Sequence, residues 1–183
     1  MIEPLEIPGI FTRQECHIII AQAHEATFSD GWLVGGVRAD NTRRSRICWL
    51  DEDGVHAWVF QRLLSAVAKA NRSHFAFKID EFAEKPQVAW YATAPGGFFD
   101  WHIDLGEGAV ASRRKLTTIV QLSESSGYGG GDLETNSDGH VRATTREIGC
   151  GLLFPSFVLH RVTPVTCGER YSLVLWAHGP AFL

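Results

Sequence analysis

The sequence predicts an α+β protein that is mainly β: a jelly-roll sandwich with N-terminal helices packed on the outer face of one sheet. Three observations predict it. Helical periodicity belongs to the N-terminal part, and no helical period longer than one turn appears after Lys85. From about residue 75 the chain reads as short runs rich in β-branched and aromatic residues. Gly, Pro, Ser, Asn and Asp separate those runs at close spacing, the punctuation of a sandwich or barrel.

Each element has its own signal. Thr12-Arg-Gln-Glu15 is a capping box, in which the Thr12 hydroxyl accepts from a backbone N–H while Glu15 reaches back. Cys16, Ile19, Ile20 and Ala23 then recur at helical spacing and give one apolar face. A second helix starts near Asp51-Glu52-Asp53, whose charge suits the positive end of a helix dipole. Val55, Val59, Leu63, Ala66, Val67 and Ala70 form its buried stripe. Between the helices, GWLVGGV and RRSRICWL read as strands joined by a polar turn at Ala39-Asp40-Asn41. FAFKIDEF, PQVAWYAT, DWHIDL, KLTTIVQL, GDLET, GHVRAT, GLLFPSF and RYSLVLWAH read as the later strands. The glycine-rich stretch 127–131 reads as a hairpin connection and not a phosphate cradle, because no strand–helix context follows it.

Composition bounds the function. A chain of 183 residues is expected to form one domain with a real core, residues 1–84 supplying helical support and substrate-side strands and residues 85–180 the jelly roll. Its 17 Lys and Arg against 21 Asp and Glu give a net charge of −4, without the basic footprint of a general nucleic-acid binder. With 45% hydrophobic and 11% aromatic residues, disorder is excluded as the dominant state. No apolar run approaches the roughly 20 residues of a membrane helix. The opening residues MIEPLEIPGIF lack the basic start and long apolar stretch of a signal peptide, so a cytoplasmic location without a membrane partner is expected. Cys16, Cys48, Cys150 and Cys167 are scattered with no C-x-x-C pair, which favours reduced, mostly structural thiols over a zinc site or a disulfide framework.

The candidate chemistry lies in the second half. His102 and Asp104 stand two apart in DWHIDL, and strand alternation puts them on one face, with Trp101, Ile103 and Leu105 turned to a hydrophobic layer. His160 follows the apolar run GLLFPSFVL. Two histidines and one carboxylate on one side of a metal form the facial triad of non-haem Fe(II) oxygenases. Taken singly, an H-x-D arises by chance, and a histidine after an apolar strand is commonly a turn or core residue. Arg170 sharpens the reading. It opens the last strand, where Arg170, Ser172, Val174 and Trp176 share a face, and a hairpin would bring it back beside His160. There its fork would grip a carboxylate at the bottom of an apolar pocket. A surface ion pair with Glu169 is the competing reading.

The combined pattern resembles the Fe(II)- and 2-oxoglutarate-dependent dioxygenases, and is most similar to their prolyl-4-hydroxylase-like branch. QVAWYATAPGGFFDWHID, RRKLTTIVQLS, YGGGDLE and GCGLLFPSFVLHRVTPVTCGERYSLVLW carry the likeness across residues 85–180. The resemblance implies a double-stranded β-helix (jelly roll), with His102, Asp104 and His160 as iron ligands and Arg170 on the C5 carboxylate of 2-oxoglutarate. It implies O2 as oxidant, with ascorbate as a reductant. It also places Tyr91, Ile119, Gln121, Leu133, Ser172 and Trp176 around the co-substrate. Ordinary core packing explains Tyr91, Ile119, Leu133 and Trp176 equally well. Gln121 stands where some relatives carry a tyrosine. Related halogenases replace the carboxylate at position 104 with a small residue, so Asp104 favours hydroxylation. Nucleic-acid-demethylating relatives carry a second arginine six residues after the first, and Trp176 occupies that place here.

The expected reaction is therefore hydroxylation of an unactivated C–H bond on a prolyl, peptidyl or amino-acid substrate, with release of succinate and CO2. The same chemistry on a small-molecule natural-product intermediate is the alternative. A non-oxidative, cupin-like metal-binding module is the alternative of another class, and Arg170 discriminates against it, because a cupin that binds no keto acid has no use for that fork. Residues 28–46, with Trp32, Arg38, Asn41, Arg43, Arg44 and Arg46, read first as a solvated polar loop; the resemblance implies a substrate cover there, whose arginines would favour an acidic group.

Overall fold

In the computed structural model, which describes residues 3–31, 41–94 and 96–182, the capping box closes as its sequence requires. Thr12 Oγ1 accepts from the Glu15 N–H at 3.2 Å, and Glu15 Oε2 accepts from the Thr12 N–H at 2.8 Å. This cap starts α1 (Arg13–Glu25), which buries Cys16, Ile19 and Ala23. The second helix, α2 (Ala57–Ala70), buries Val59, Leu63, Val67 and Ala70. It starts later than the sequence suggested. Gly54 has a φ of +59°, which an α-helix cannot accommodate, so a single 3-10 turn (Gly54–His56) intervenes and leaves Val55 69% exposed.

Thirteen strands follow among the described residues: β1 (Leu5–Ile7), β2 (Ser29–Asp30), β3 (Arg43–Arg44), β4 (Arg46–Trp49), β5 (Gln87–Ala92), β6 (Phe98–His102), β7 (Arg114–Gln121), β8 (Tyr128–Gly130), β9 (Leu133–Asn136), β10 (Arg142–Ala143), β11 (Gly151–Pro155), β12 (Leu159–Val162) and β13 (Val165–His178). One antiparallel sheet has the order β1-β11-β7-β13-β5-β4-β2, with β8 also paired to β13. The other has the order β10-β9-β12-β6-β3. Alternation along β13 sorts its side chains between two cores. Tyr171, Leu173 and Leu175 meet Ile19 and Leu63 of the helices on the outer face. Val174 and Trp176 meet Phe154 and Val162 across the interior. Each fully buried leucine on the helix side stabilises by about 2 kcal/mol, so the helices brace the strand that carries Arg170.

Several segments depart from the predicted elements. FAFKIDEF is not a strand: α2 runs on through a π turn (Asn71–Phe75) and stops at Ala76, whose φ is +56°. Asn71 then grips the Phe77 backbone through two 2.9 Å hydrogen bonds, consuming the groups a strand ladder would need. Only Glu81 makes an isolated bridge, to His178. The 127–131 stretch is more than a connection, since β8 pairs with Val165, Cys167 and Gly168. Apart from Gly31, the GWLVGGV segment lies outside the described residues, as do Trp32, Arg38, Ala39 and Asp40. Among the described residues no helix is long and apolar enough to cross a membrane. All four cysteines are free, three buried and Cys167 exposed.

Candidate active site

His102 ends β6, His160 lies on β12, and the two are register partners across the sheet. Their rings sit 4.1 Å apart. Asp104 completes the cluster: its Oδ1 lies 3.7 Å from His102 Nε2 and its Oδ2 3.5 Å from His160 Nε2. One donor atom from each of the three residues falls within 4.8 Å of the others. Strand alternation is not what brings Asp104 there, because β6 stops at His102. The N–H groups of Asp104 and Leu105 both donate to the Ser156 carbonyl at 2.9 Å, which turns the chain so that the carboxylate faces inward. Ile103, expected in a hydrophobic layer, is consequently 46% exposed. Trp101 is half-buried under the Arg161 guanidinium.

Hydrogen bonds fix the imidazole protons. His102 Nδ1 lies 2.7 Å from the Asp100 carbonyl and His160 Nδ1 2.9 Å from the Val158 carbonyl. A carbonyl only accepts, so each Nδ1 carries a proton and each Nε2 presents a lone pair toward Asp104. Burial and the neighbouring His160 push the His102 imidazole down to about 3, which keeps it neutral. Burial by itself would raise the Asp104 carboxyl, but any proton on His160 or His102, together with the Arg114 guanidinium, holds it below the ordinary carboxylate range. Thr117 Oγ1 also donates to Asp104 Oδ2 at 2.7 Å, with Ser156 Oγ 3.1 Å from the same hydroxyl. Two lone pairs converging on an ionised carboxylate repel one another in isolation. A divalent cation would bind all three, and the two-nitrogen, one-oxygen set suits Fe(II).

Arg170 faces the interior from the opposite sheet. β12 and β13 belong to different sheets, so the link from His160 crosses the sandwich instead of folding back as a hairpin. The side chain is fully buried; its Nη2 donates to Gln121 Oε1 at 2.9 Å and its Nη1 to Ser172 Oγ at 3.3 Å. The Tyr91 ring lies 5.4 Å away. Among the described residues no carboxylate pairs with Arg170, and its Nε has no hydrogen-bond partner. Glu169 accepts instead from the Tyr171 hydroxyl, which disposes of the surface ion-pair reading. A buried cation without a counterion costs several kcal/mol, and a carboxylate ligand would offset that cost.

A cavity of about 1060 Å³ is lined by His102, Asp104 and His160 together with Tyr91, Ile119, Ser172 and Trp176; Arg170 does not line it but lies beside Ser172 and Tyr91, which do. The other two expected co-substrate residues stand behind the wall. Leu133 is buried in the interior core. Gln121 donates its Nε2 to the Thr145 carbonyl, which turns Oε1 onto Arg170, so it orients the arginine. The buried Trp176 indole N–H closes no full hydrogen bond among the described residues but helps to hold the Asp104 carboxyl down. Sequence reasoning missed Thr117, although it alternates with Ile119 and Gln121 along β7 and so had to share their face. It also left Arg43 in a solvated or substrate-covering loop. The structure puts Arg43 on the cavity wall, 4.6 Å over Phe99, whose ring stacks on His102.

A sequence profile of the 2OG-Fe(II) oxygenase superfamily matches residues 86–178. A PKHD-type hydroxylase of Shewanella oneidensis is 30% identical over 177 residues, spanning 94% of this chain and 76% of that protein. One of Hyphomonas neptunium is 37% identical over 161 residues, spanning 86% and 70%. Among solved structures, a Trichoplax adhaerens prolyl hydroxylase in complex with a hypoxia inducible factor oxygen degradation domain peptide fragment superposes with a TM-score of 0.81 at 21% identity, over 97% of this chain and 84% of that one. A Pseudomonas putida prolyl-4-hydroxylase superposes with a TM-score of 0.76 at 19% identity, over 97% and 93%. The double-stranded β-helix architecture is common to all of these structures. With a profile match that spans the His-Asp-His cluster and PKHD-type hydroxylases among its relatives, the chain belongs to the 2OG-Fe(II) oxygenase superfamily and is a 2-oxoglutarate-dependent hydroxylase that uses Fe(II) and O2.

Proposed function

We propose that His102, Asp104 and His160 hold Fe(II), that Arg170 grips the C5 carboxylate of 2-oxoglutarate, and that the enzyme hydroxylates a prolyl or other peptidyl residue. When bound, iron and 2-oxoglutarate would let O2 oxidise the C–H bond, one oxygen atom entering the hydroxylated product and the other the succinate that leaves with CO2. The chain's own residues supply position and charge. Both imidazoles offer Nε2 because their Nδ1 protons are committed to backbone carbonyls. Thr117 steadies Asp104 as the ionised form. Ser172 and Tyr91 stand beside Arg170 to complete the carboxylate subsite, with Gln121 orienting the guanidinium. Ile119 and Leu133 keep that end apolar and Trp176 walls it toward Asp104. On this reading residues 85–180 carry the catalytic machinery, residues 1–84 support it, and the whole acts as one domain.

One observation carries the reading: a fully buried arginine without a carboxylate partner among the described residues, next to a cavity where three metal-binding donors converge. A cation-binding module with no keto acid would have no use for it. The peptidyl substrate is supported by the solved prolyl hydroxylases of the same fold, one of them holding a peptide. The net charge of −4, together with Trp176 where a second arginine would stand, weighs against nucleic acid. The test incubates the protein with Fe(II), 2-oxoglutarate and O2, offering proline-containing peptides beside free amino acids. Expected is a peptide product heavier by one oxygen, with succinate formed in equal amount. A mass gain confined to free amino acids or other small molecules would overturn the peptidyl assignment.

A further inference from the structure

We infer that Glu84, Arg114 and His178 form a buried clamp that positions Asp104, with Glu84 as its keystone. The inference rests on Asp104 being a metal-binding carboxylate. The three residues come from separate parts of the chain: the segment before β5, the start of β7 and the end of β13, where Arg114 and His178 are register partners. His178 is fully buried, and its Nδ1 accepts from the Ala83 N–H at 3.2 Å. That acceptance makes it a neutral imidazole with its proton on Nε2, which donates to Glu84 Oε2 at 3.1 Å. Arg114 adds a fork to the same carboxylate, Nε to Oε2 at 2.6 Å and Nη2 to Oε1 at 2.5 Å. Glu84 therefore receives three N–H donors in an almost closed setting.

The clamp points at the metal centre. With its Nε side held, Arg114 turns Nη1 onto the Asp104 carbonyl at 3.0 Å and lays its face on the Trp176 ring at 4.1 Å. Asp104 lies past the end of β6, outside any ladder, so its placement depends on side contacts. Ser156 anchors its N–H, Thr117 its carboxylate and Arg114 its carbonyl. Among the described residues Arg114 is thus the one hydrogen-bond donor to the carbonyl of that turn, and Glu84 decides where Arg114 points. These are positioning residues: none supplies a donor to the cluster. A glutamine at 84 would have one oxygen for three donors and would bring two N–H groups against them, so at least one arm of the clamp must open. A lysine at 114 would keep the charge but cannot span Glu84 and Asp104 together.

The test titrates metal-free protein with Co(II), reading the dissociation constant and the visible d–d absorption of the bound ion. Partners behind a ligand are worth 10- to 100-fold in metal affinity. Glu84→Gln and Arg114→Lys are therefore each expected to weaken Co(II) binding about 10-fold or more and to change the absorption envelope. At saturating metal, kcat should fall while the KM for 2-oxoglutarate stays within about twofold, since Arg170 is untouched. A purely structural ion pair would lower the melting temperature and leave the spectrum of the bound ion as in the parent. Folded variants that bind Co(II) with parent affinity and spectrum overturn the clamp. Loss in Arg114→Lys alone removes Glu84 from its keystone role. Should Glu84→Gln fail to fold, Arg114→Lys decides by the same readout. A parent protein that binds no Co(II) would instead overturn the metal-site reading beneath it.

Discussion

Replacing Arg170 with methionine separates a ligand-binding arginine from a structural one, because the two roles predict opposite balances. Without co-substrate, Arg170→Met loses two hydrogen bonds, to Gln121 Oε1 at 2.9 Å and Ser172 Oγ at 3.3 Å. At about 1 kcal/mol each, and with the acceptors left unmatched, that loss comes to about 2–3 kcal/mol. Against it stands the relief of a fully buried cation that no described carboxylate neutralises, itself several kcal/mol. The two nearly cancel, so the melting temperature of the free protein should move by no more than about 5 °C. Binding of 2-oxoglutarate has no such compensation. A forked pair of charge-assisted hydrogen bonds contributes about 3–5 kcal/mol, equivalent to a 100- to 4000-fold loss of affinity. Calorimetric titration with Mn(II) in place of iron reads this directly, and the metal affinity should stay near that of the parent. A 2-oxoglutarate dissociation constant within fivefold of the parent, or a melting temperature lower by more than about 10 °C, would refute the reasoning and make Arg170 a strut of the core.

Other consequences follow from neighbouring contacts. Gln121→Leu removes the acceptor that aims Arg170 but keeps the charge, so 2-oxoglutarate affinity should fall about 10-fold, less than in Arg170→Met; an unchanged constant in the same titration contradicts the orienting role. Gly131 has a φ of +63°, and a Cβ there would lie 3.1 Å from Arg170 Cδ. Gly131→Ala should therefore cost about 1–2 kcal/mol of stability, a few degrees in a thermal melt, and should weaken 2-oxoglutarate binding with it; a melt at the parent temperature counts against the strain. The metal-free protein should lose stability as it is acidified. With the His102 imidazole depressed to about 3 by burial and His160, the unfolded chain, titrating near 6.5, binds the extra proton first. Stability is thus fully present above that unfolded value and drains away as pH falls toward the folded one, by about 2 kcal/mol between pH 7 and pH 5. Denaturant melts of the parent and of His102→Gln at those two pH values check this; equal slopes in the two proteins would remove His102 as the source.

What the sequence revealed, and what it hid, divides along the line between local and long-range causes. The Thr12–Glu15 capping box and the stripe of Val59, Leu63, Val67 and Ala70 rest on neighbours within a few residues, and both form as read. The face shared by Arg170, Ser172, Val174 and Trp176 follows from alternation alone, and it turns to the interior as expected. The pairing of His102 with Asp104 was right in outcome but wrong in cause. Ser156, far along the chain, makes the turn that alternation was credited with. FAFKIDEF has strand composition, yet the Asn71 side chain had already claimed the Phe77 backbone. Glu84, Arg114 and His178 gave no signal in order of sequence, because only the closing of β7 against β13 brings them together. Gln121 lies beside Arg170, and its orientation depends on the Thr145 carbonyl, distant in the chain, which its order in the sequence did not reveal.

The most direct measurement of the central claim is iron-dependent conversion of 2-oxoglutarate to succinate by the parent protein and by His102→Ala and His160→Ala, with a folded-state check on each. The two imidazoles offer both nitrogen donors of the cluster within 4.8 Å of the Asp104 carboxylate. The account predicts turnover in the parent and its loss in both variants. Turnover that persists in both variants at the parent's iron requirement would contradict it.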